Sequence, residues 1–418
     1  MSKWNIYTPD GVQDILFEDC HLKKGLEQKL RTLFGSCGYN ELETPAIEFY
    51  DVFASDSGGI PQENMFKFFD QQGRILVLRP DITVPVARIT ATKYREAAYP
   101  LRISYIGNVF RYNDYGGGKQ SEFTQAGVEI LGVSTPESDA EVISLAINAL
   151  KTAGLESFQV DIGQVEFFKG LMDETGLPEE ETAKVRMLID RKDYVGLEEF
   201  LNRCEIGADL KKLILDLPAL FGSVDVIDRV EALKLNKRSR DALENIRQVL
   251  GILEDYGLGQ YVSVDLGMLR GLDYDTGIIF RGFTYGVGFP VLTGGRYDRL
   301  VGEFGKECPA TGFSLGVNML MMAMQRQKVA IEKPATDSIV CYTDKGRKTA
   351  FELCDELRRQ GLVVELDIAN SPCESAVRYA ASKNIGGVIR IVDEDTVEIH
   401  YVQSGEVATV QISDLMKR

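Results

Sequence analysis

The chain has 418 residues, 44% of them apolar, and a formal net charge of −16. That length predicts two or three domains with ordinary cores, and no run approaches the roughly 20 consecutive apolar residues of a membrane span. The acidic balance argues against nucleic acid as a main partner, because phosphate backbones are neutralised by Lys and Arg.

The opening MSKWNIYTPDGVQDILFEDC lacks the basic-then-apolar pattern of a secretory leader. Seven cysteines without CxxC spacing read as reduced thiols of a cytoplasmic protein. The only histidines, His21 and His400, have no candidate co-ligands near them in sequence, so no metal site is expected.

Along the chain, Leu22, Leu26, Leu30 and Leu33 recur at helical spacing within 15–37, and GSCG ends that helix. In GYNELETPAIE (38–48), Pro45 marks an edge or a strand end. MFKFF (65–69) and RILVLR (74–79) flank the turn DQQG and predict a hairpin. A helix follows Pro85; 101–112 and 122–132 read as strands joined by a triple-glycine loop; 137–154 is a strong helix with an acidic first turn and a terminal glycine. After the strand-like FQVDIG, residues 165–256 read as helical throughout. β signal returns at 261–267 and 277–283, with a turn expected at GGRYD (294–298), and 309–324 reads as a small-residue strand entering an apolar helix. Met319, Met321, Met322 and Met324 in that helix suit core filling. A break at VAIEKPATD (329–337) separates a small unit, 335–418, in which β and α segments alternate.

Several residues carry chemistry. Asp81 and Thr83 sit two apart in LRPDITVPVAR. On an extended segment both would point one way and hold an ammonium group; alternatively they cap the following helix. Gln125 and Glu129, four apart in a strand, share one face, and a buried glutamate needs a cation or a ligand N–H. Arg111 offers a planar fork for a carboxylate or phosphate. LRGLDYDTG (269–277) brings Arg270, Asp273, Tyr274 and Asp275 between two β segments, as a site or as a solvated ion-paired loop.

Taken together, these segments resemble class II aminoacyl-tRNA synthetases, specifically the histidyl enzymes and their non-catalytic paralogues, the regulatory subunits of ATP phosphoribosyltransferase. GYNELETPAIE is similar to motif 1, FRYNDYGGGKQSEFTQAGVEILG to motif 2, LRGLDYDTG and GGRYDRLVGEFG to the two histidine signatures, and GFSLGVNML lies where motif 3 belongs. The resemblance implies an α+β fold: an antiparallel, six-stranded-type catalytic sheet flanked by helices, residues 1–330, with a helical insertion at about 165–256. It also implies a C-terminal α/β unit, 335–418, like an anticodon-binding domain, and self-association through motif 1.

The resemblance assigns a histidine site. Asp81, Thr83 and Gln125 match positions that hold the α-amino group, Arg111 the carboxylate side, Glu129 the imidazole, and Tyr297 the ring; Arg270 and Tyr274 complete the set. Asp275 replaces a tyrosine that faces the imidazole. The nucleotide half is depleted: Met319 stands where a motif 3 arginine holds the distal phosphate, Asn113 replaces the motif 2 glutamate, and Lys119 replaces a motif 2 arginine. Residues 335–418 carry 10 basic against 14 acidic residues, unlike a surface for an anticodon stem. The implied role is a regulatory subunit, without catalysis or cofactor, partnered by the short-form ATP phosphoribosyltransferase catalytic subunit and by histidine. The alternative is a divergent histidine–tRNA ligase, for which the retained Arg270 speaks.

Overall fold

The structure is a computed structural model that describes residues 6–54, 60–112, 120–269, 275–330, 335–369 and 372–416. The chain divides into two compact units, Met1–Ala330 and Ile331–Arg418.

The first unit opens with α1 (Phe17–Ser36), which buries Leu22, Leu26, Leu30 and Phe34 as one stripe. Short strands β1 (Asn40–Glu41) and β2 (Ile47–Phe49) lie on either side of Pro45. The hairpin β3 (Lys67–Phe69) and β4 (Ile75–Leu78) joins β2 in a small sheet ordered β2-β4-β3. Then come α2 (Thr83–Thr92), β5 (Leu101–Phe110), β6 (Glu122–Leu131), α3 (Pro136–Thr152) and β7 (Phe158–Gln164). The insertion is α4 (Val165–Thr175), α5 (Glu179–Asp190), α6 (Tyr194–Leu201), α7 (Ala208–Asp216), α8 (Asp225–Glu231) and α9 (Lys237–Asp255). It is not helical throughout: β8 (Phe221–Gly222) precedes α8 and pairs with the next strand, β9 (Val262–Asp265), at the edge of the large sheet. The unit ends with β10 (Ile278–Thr284), β11 (Leu292–Arg296), β12 (Ala310–Gly316) and α10 (Val317–Arg326).

Among the described residues the large sheet has nine strands in the order β1-β5-β6-β12-β11-β10-β7-β9-β8. Its middle six, β5 to β7, are all antiparallel to their neighbours, while β1 and β9 join in parallel. Side chains alternate between the two faces of a strand. One face, with Val128, Phe313, Phe280 and Ile162, shares a core with α1, α3, α9 and the insertion. The other face carries the site.

The first three residues of GGRYD are strand, since β11 includes Gly294, Gly295 and Arg296, and the expected turn begins only at Asp298. The glycines serve packing. A Cβ on Gly294 would lie 2.3 Å from the Phe280 ring and 2.6 Å from the Gly312 carbonyl oxygen, so this strand tolerates only glycine at that crossing. Arg296 turns to the core side, where its guanidinium bonds both Asp139 oxygens (2.9 and 3.2 Å) and the Ser138 hydroxyl at the start of α3.

The second unit alternates β13 (Ser338–Cys341), α11 (Arg347–Arg359), β14 (Val364–Leu366), α12 (Cys373–Lys383), β15 (Gly387–Ile391), β16 (Thr396–Tyr401), β17 (Val407–Gln411) and α13 (Ile412–Leu415). Its sheet is ordered β14-β13-β15-β16-β17, parallel in the first three strands and antiparallel beyond. Among the described residues, no helix is long and apolar enough to cross a membrane.

Candidate functional site

The open face of the sheet is floored by a row of registered residues: Glu129 on β6 lies opposite Gly312, Gly312 opposite Gly295, and Gly295 opposite Ile279. Two adjacent glycines in this row leave a hollow above the sheet. The opening is needed, because a Cβ on Gly312 would stand 1.6 Å from Glu129 Oε2. Above it lies a cavity of about 410 Å³, bordered by the start of α2, by β6, and by β10 to β12.

Asp81 and Thr83 reach this cavity from a helix start, not from an extended segment. Thr83 is the first residue of α2, and Asp81 Oδ1 accepts from the Val84 backbone N–H at 3.1 Å. The capping role is therefore real, and both side chains still line the cavity. The segment is held from beneath by Arg79, 5% exposed, whose guanidinium donates to the carbonyl and hydroxyl oxygens of Thr44 and to the Asn108 carbonyl. Gln125 completes the corner. Its Oε1 accepts from the Ile82 N–H (3.2 Å) and its Nε2 donates to Asp81 Oδ2 (3.4 Å). Arg111 Nη2 lies 3.5 Å from the same carboxylate and its Nε donates to the Pro80 carbonyl at 2.6 Å.

Glu129 is the most desolvated charge-bearing group here, at 1% exposure. Its Oε1 accepts from the Thr83 hydroxyl (2.9 Å) and from Tyr105 (3.0 Å); its Oε2 accepts from Tyr297 (2.5 Å). Burial pushes its carboxyl up to about 8; the three hydroxyl donors oppose that rise and nearby Asp81 adds to it. In its ionised form the carboxylate offers about four acceptor positions. Three are then taken by hydroxyls, which leaves one on Oε2 for a ligand N–H that stabilises that form.

Six of the eight residues singled out in sequence thus converge on one cavity: Asp81, Thr83, Arg111, Gln125, Glu129 and Tyr297. Arg270 and Tyr274 lie outside the described residues, as do Asn113, Lys119 and the triple glycine. Asp275 lines the wall beside Gly295. Sequence reading missed two participants. Tyr105 faces Gly127 across β5 and β6, and only the register brings it to Glu129. Arg281 also lines the cavity; an arginine inside the apolar strand IIFRGF was the available signal.

Against Gly316, which pairs with Gln125, Met319 on α10 also lines the cavity. Its neighbour Asn318 is tied off, with Oδ1 accepting from the Thr124 N–H and Nδ2 donating to Gln120. Among the described lining residues, Asp81, Glu129 and Asp275 stand against Arg111 and Arg281. That arrangement suits a zwitterion with a further N–H donor. A triphosphate needs several convergent cations.

The sequence profile of a family described as histidyl-tRNA synthetase matches residues 11–320. A protein of Acetivibrio thermocellus named ATP phosphoribosyltransferase regulatory subunit is 64% identical over 417 residues, spanning 100% of both chains. One of the same name from Ruminiclostridium cellulolyticum is 57% identical over 404 residues, covering 97% of this chain and 96% of its own. A solved structure described as an ATP phosphoribosyltransferase regulatory subunit/histidyl-tRNA synthetase from Bacillus halodurans superposes with a TM-score of 0.83 at 33% identity, covering 92% of this chain and 98% of that one.

Proposed function

The chain belongs to the ATP phosphoribosyltransferase regulatory subunits, on the histidyl-tRNA synthetase fold, and from that premise we propose that it activates a short-form catalytic subunit and makes it sensitive to histidine. The catalysed step, in the partner, is the first of histidine biosynthesis. The chain itself performs no aminoacylation and acts in the cytoplasm as part of a hetero-oligomer, self-associating through the motif 1 segment 38–48.

The observation that carries this reading is the make-up of one cavity's lining. Asp81, Thr83, Gln125 and Arg111 suit the ammonium and carboxylate of a free amino acid, and the remaining acceptor of Glu129 suits an imidazole N–H. Met319, in the same wall, offers no charge to a distal phosphate. Each missing charge-assisted contact is worth about 1.5–3 kcal/mol, so losing two or three of them slows adenylation by orders of magnitude. Feedback requires that histidine bind one conformation of the complex better than another, with a coupling of about 1–3 kcal/mol. The net charge of −16 supports a protein partner rather than tRNA.

Reconstitution tests the proposal. Mixed with the short catalytic subunit, the chain raises phosphoribosyl transfer to ATP, and added histidine lowers it again. No stimulation, together with robust histidine-dependent pyrophosphate exchange by the chain alone, would establish a histidine–tRNA ligase instead.

A further inference from the structure

The second unit carries a cluster that the amino-acid cavity does not involve. Cys341 ends β13, an interior strand between β14 and β15, and is 3% exposed. Cys373 is the first residue of α12, half-buried, where first-turn backbone N–H groups favour negative charge. Both cysteines pack in one core cluster between β13 and α12; burial first, then Cys373 and Asp367 beside it, push the Cys341 thiol up. From β16, His400 Nε2 lies 3.7 Å from Cys373 Sγ and 3.6 Å from Glu398 Oε2. An accessible thiol with a base at its sulfur and a second thiol behind it is the arrangement of an attacking and a resolving cysteine.

We propose that Cys373 and Cys341 form a reversible thiol–disulfide site that reacts with hydroperoxides, with His400 accepting the Cys373 proton. The Cys373 sulfur attacks one peroxide oxygen and the O–O bond breaks. The departing hydroxide takes the proton held by His400 and leaves as water, and Cys373 becomes a sulfenic acid. The Cys341 sulfur then attacks that sulfur, displacing hydroxide, which leaves as water with the Cys341 proton. The sum is two thiols and one hydrogen peroxide to one disulfide and two waters, with two electrons passing from sulfur to oxygen. A dithiol reductant reverses the bond by exchange. Closure ties the start of α12 to the end of β13.

The full chain, treated with a small excess of hydrogen peroxide and digested without reduction, should yield a peptide pair joined through Cys341 and Cys373, lost on adding dithiothreitol. Cys37, exposed and among the free thiols, should enter no intramolecular bridge. His400→Asn should slow bridge formation several-fold. The ceiling is about thirtyfold, because an ordinary thiol is already a few per cent ionised at neutral pH. Cys373 recovered as sulfinic acid with no bridge in the unmodified protein would overturn the proposal, as would bridges joining cysteines at random. An unchanged rate in His400→Asn would overturn the role given to the imidazole.

Discussion

Replacing Glu129 by glutamine separates what this residue does for ligand from what it costs the fold. The folded carboxyl is raised from 4.5 to about 8, chiefly by burial. Between those values the native state holds a proton that the unfolded chain has lost, so stability falls as pH rises through that window and stays low above it. At about 1.4 kcal/mol per unit, the full penalty above pH 8 is about 5 kcal/mol, of which about 3 kcal/mol develops between pH 6 and pH 9. Glutamine has the same shape and no charge, and the hydroxyls of Thr83, Tyr105 and Tyr297 can rotate to accept from its amide. Glu129→Gln should therefore gain stability relative to the parent by about 3 kcal/mol on going from pH 6 to pH 9, read as urea unfolding free energies at both values. At pH 9, where the parent carboxyl is ionised, the same variant should bind histidine about 10–150-fold more weakly by calorimetry, the loss of one hydrogen bond to a charged group. A stability difference that does not change with pH would refute the claim that burial holds this carboxyl protonated.

Gly312→Ala places a Cβ 1.6 Å from Glu129 Oε2 and 2.5 Å from the Val128 carbonyl oxygen. It should cost about 1–3 kcal/mol and abolish histidine-induced thermal stabilisation; a normal histidine response would remove the glycine row from the site. Arg296→Met leaves Asp139, 2% exposed, without its partner, at a cost of about 3–5 kcal/mol. Adding Asp139→Asn should restore at least half of it, measured as a double-mutant cycle. Met319→Arg adds a cation to the cavity wall beside Gly316 and should raise ATP affinity on the order of tenfold, with histidine affinity within about twofold. ATP binding as weak as in the parent would mean that Met319 does not face the nucleotide.

Much of this site was legible before folding because strand periodicity is local. Gln125 and Glu129, four apart, had to share a face, opposite that of Ala126, Val128 and Ile130; that the Glu129 side is buried too came from the elements packed over it. What stayed hidden depended on register or on close packing. GGRYD looks like a turn by composition, yet its glycines serve a crossing strand pressed between Phe280 and Gly312. Tyr105 could not be assigned to Glu129 without knowing that β5 pairs Tyr105 with Gly127. For Asp81 and Thr83 the sequence left an extended pair and a helix cap open; α2 begins at Thr83, two residues before Pro85, and Asp81 caps it while lining the cavity. In α1 the buried stripe steps by four from Leu22 through Leu26 and Leu30 to Phe34, and Leu33 at its border is only partly buried.

The decisive measurement is paired calorimetric titration of the full chain with histidine and with ATP–Mg²⁺, the latter repeated at saturating histidine. The account predicts saturable binding of histidine and no detectable heat from millimolar nucleotide in either case. Tight, histidine-dependent uptake of ATP accompanied by release of pyrophosphate would contradict it.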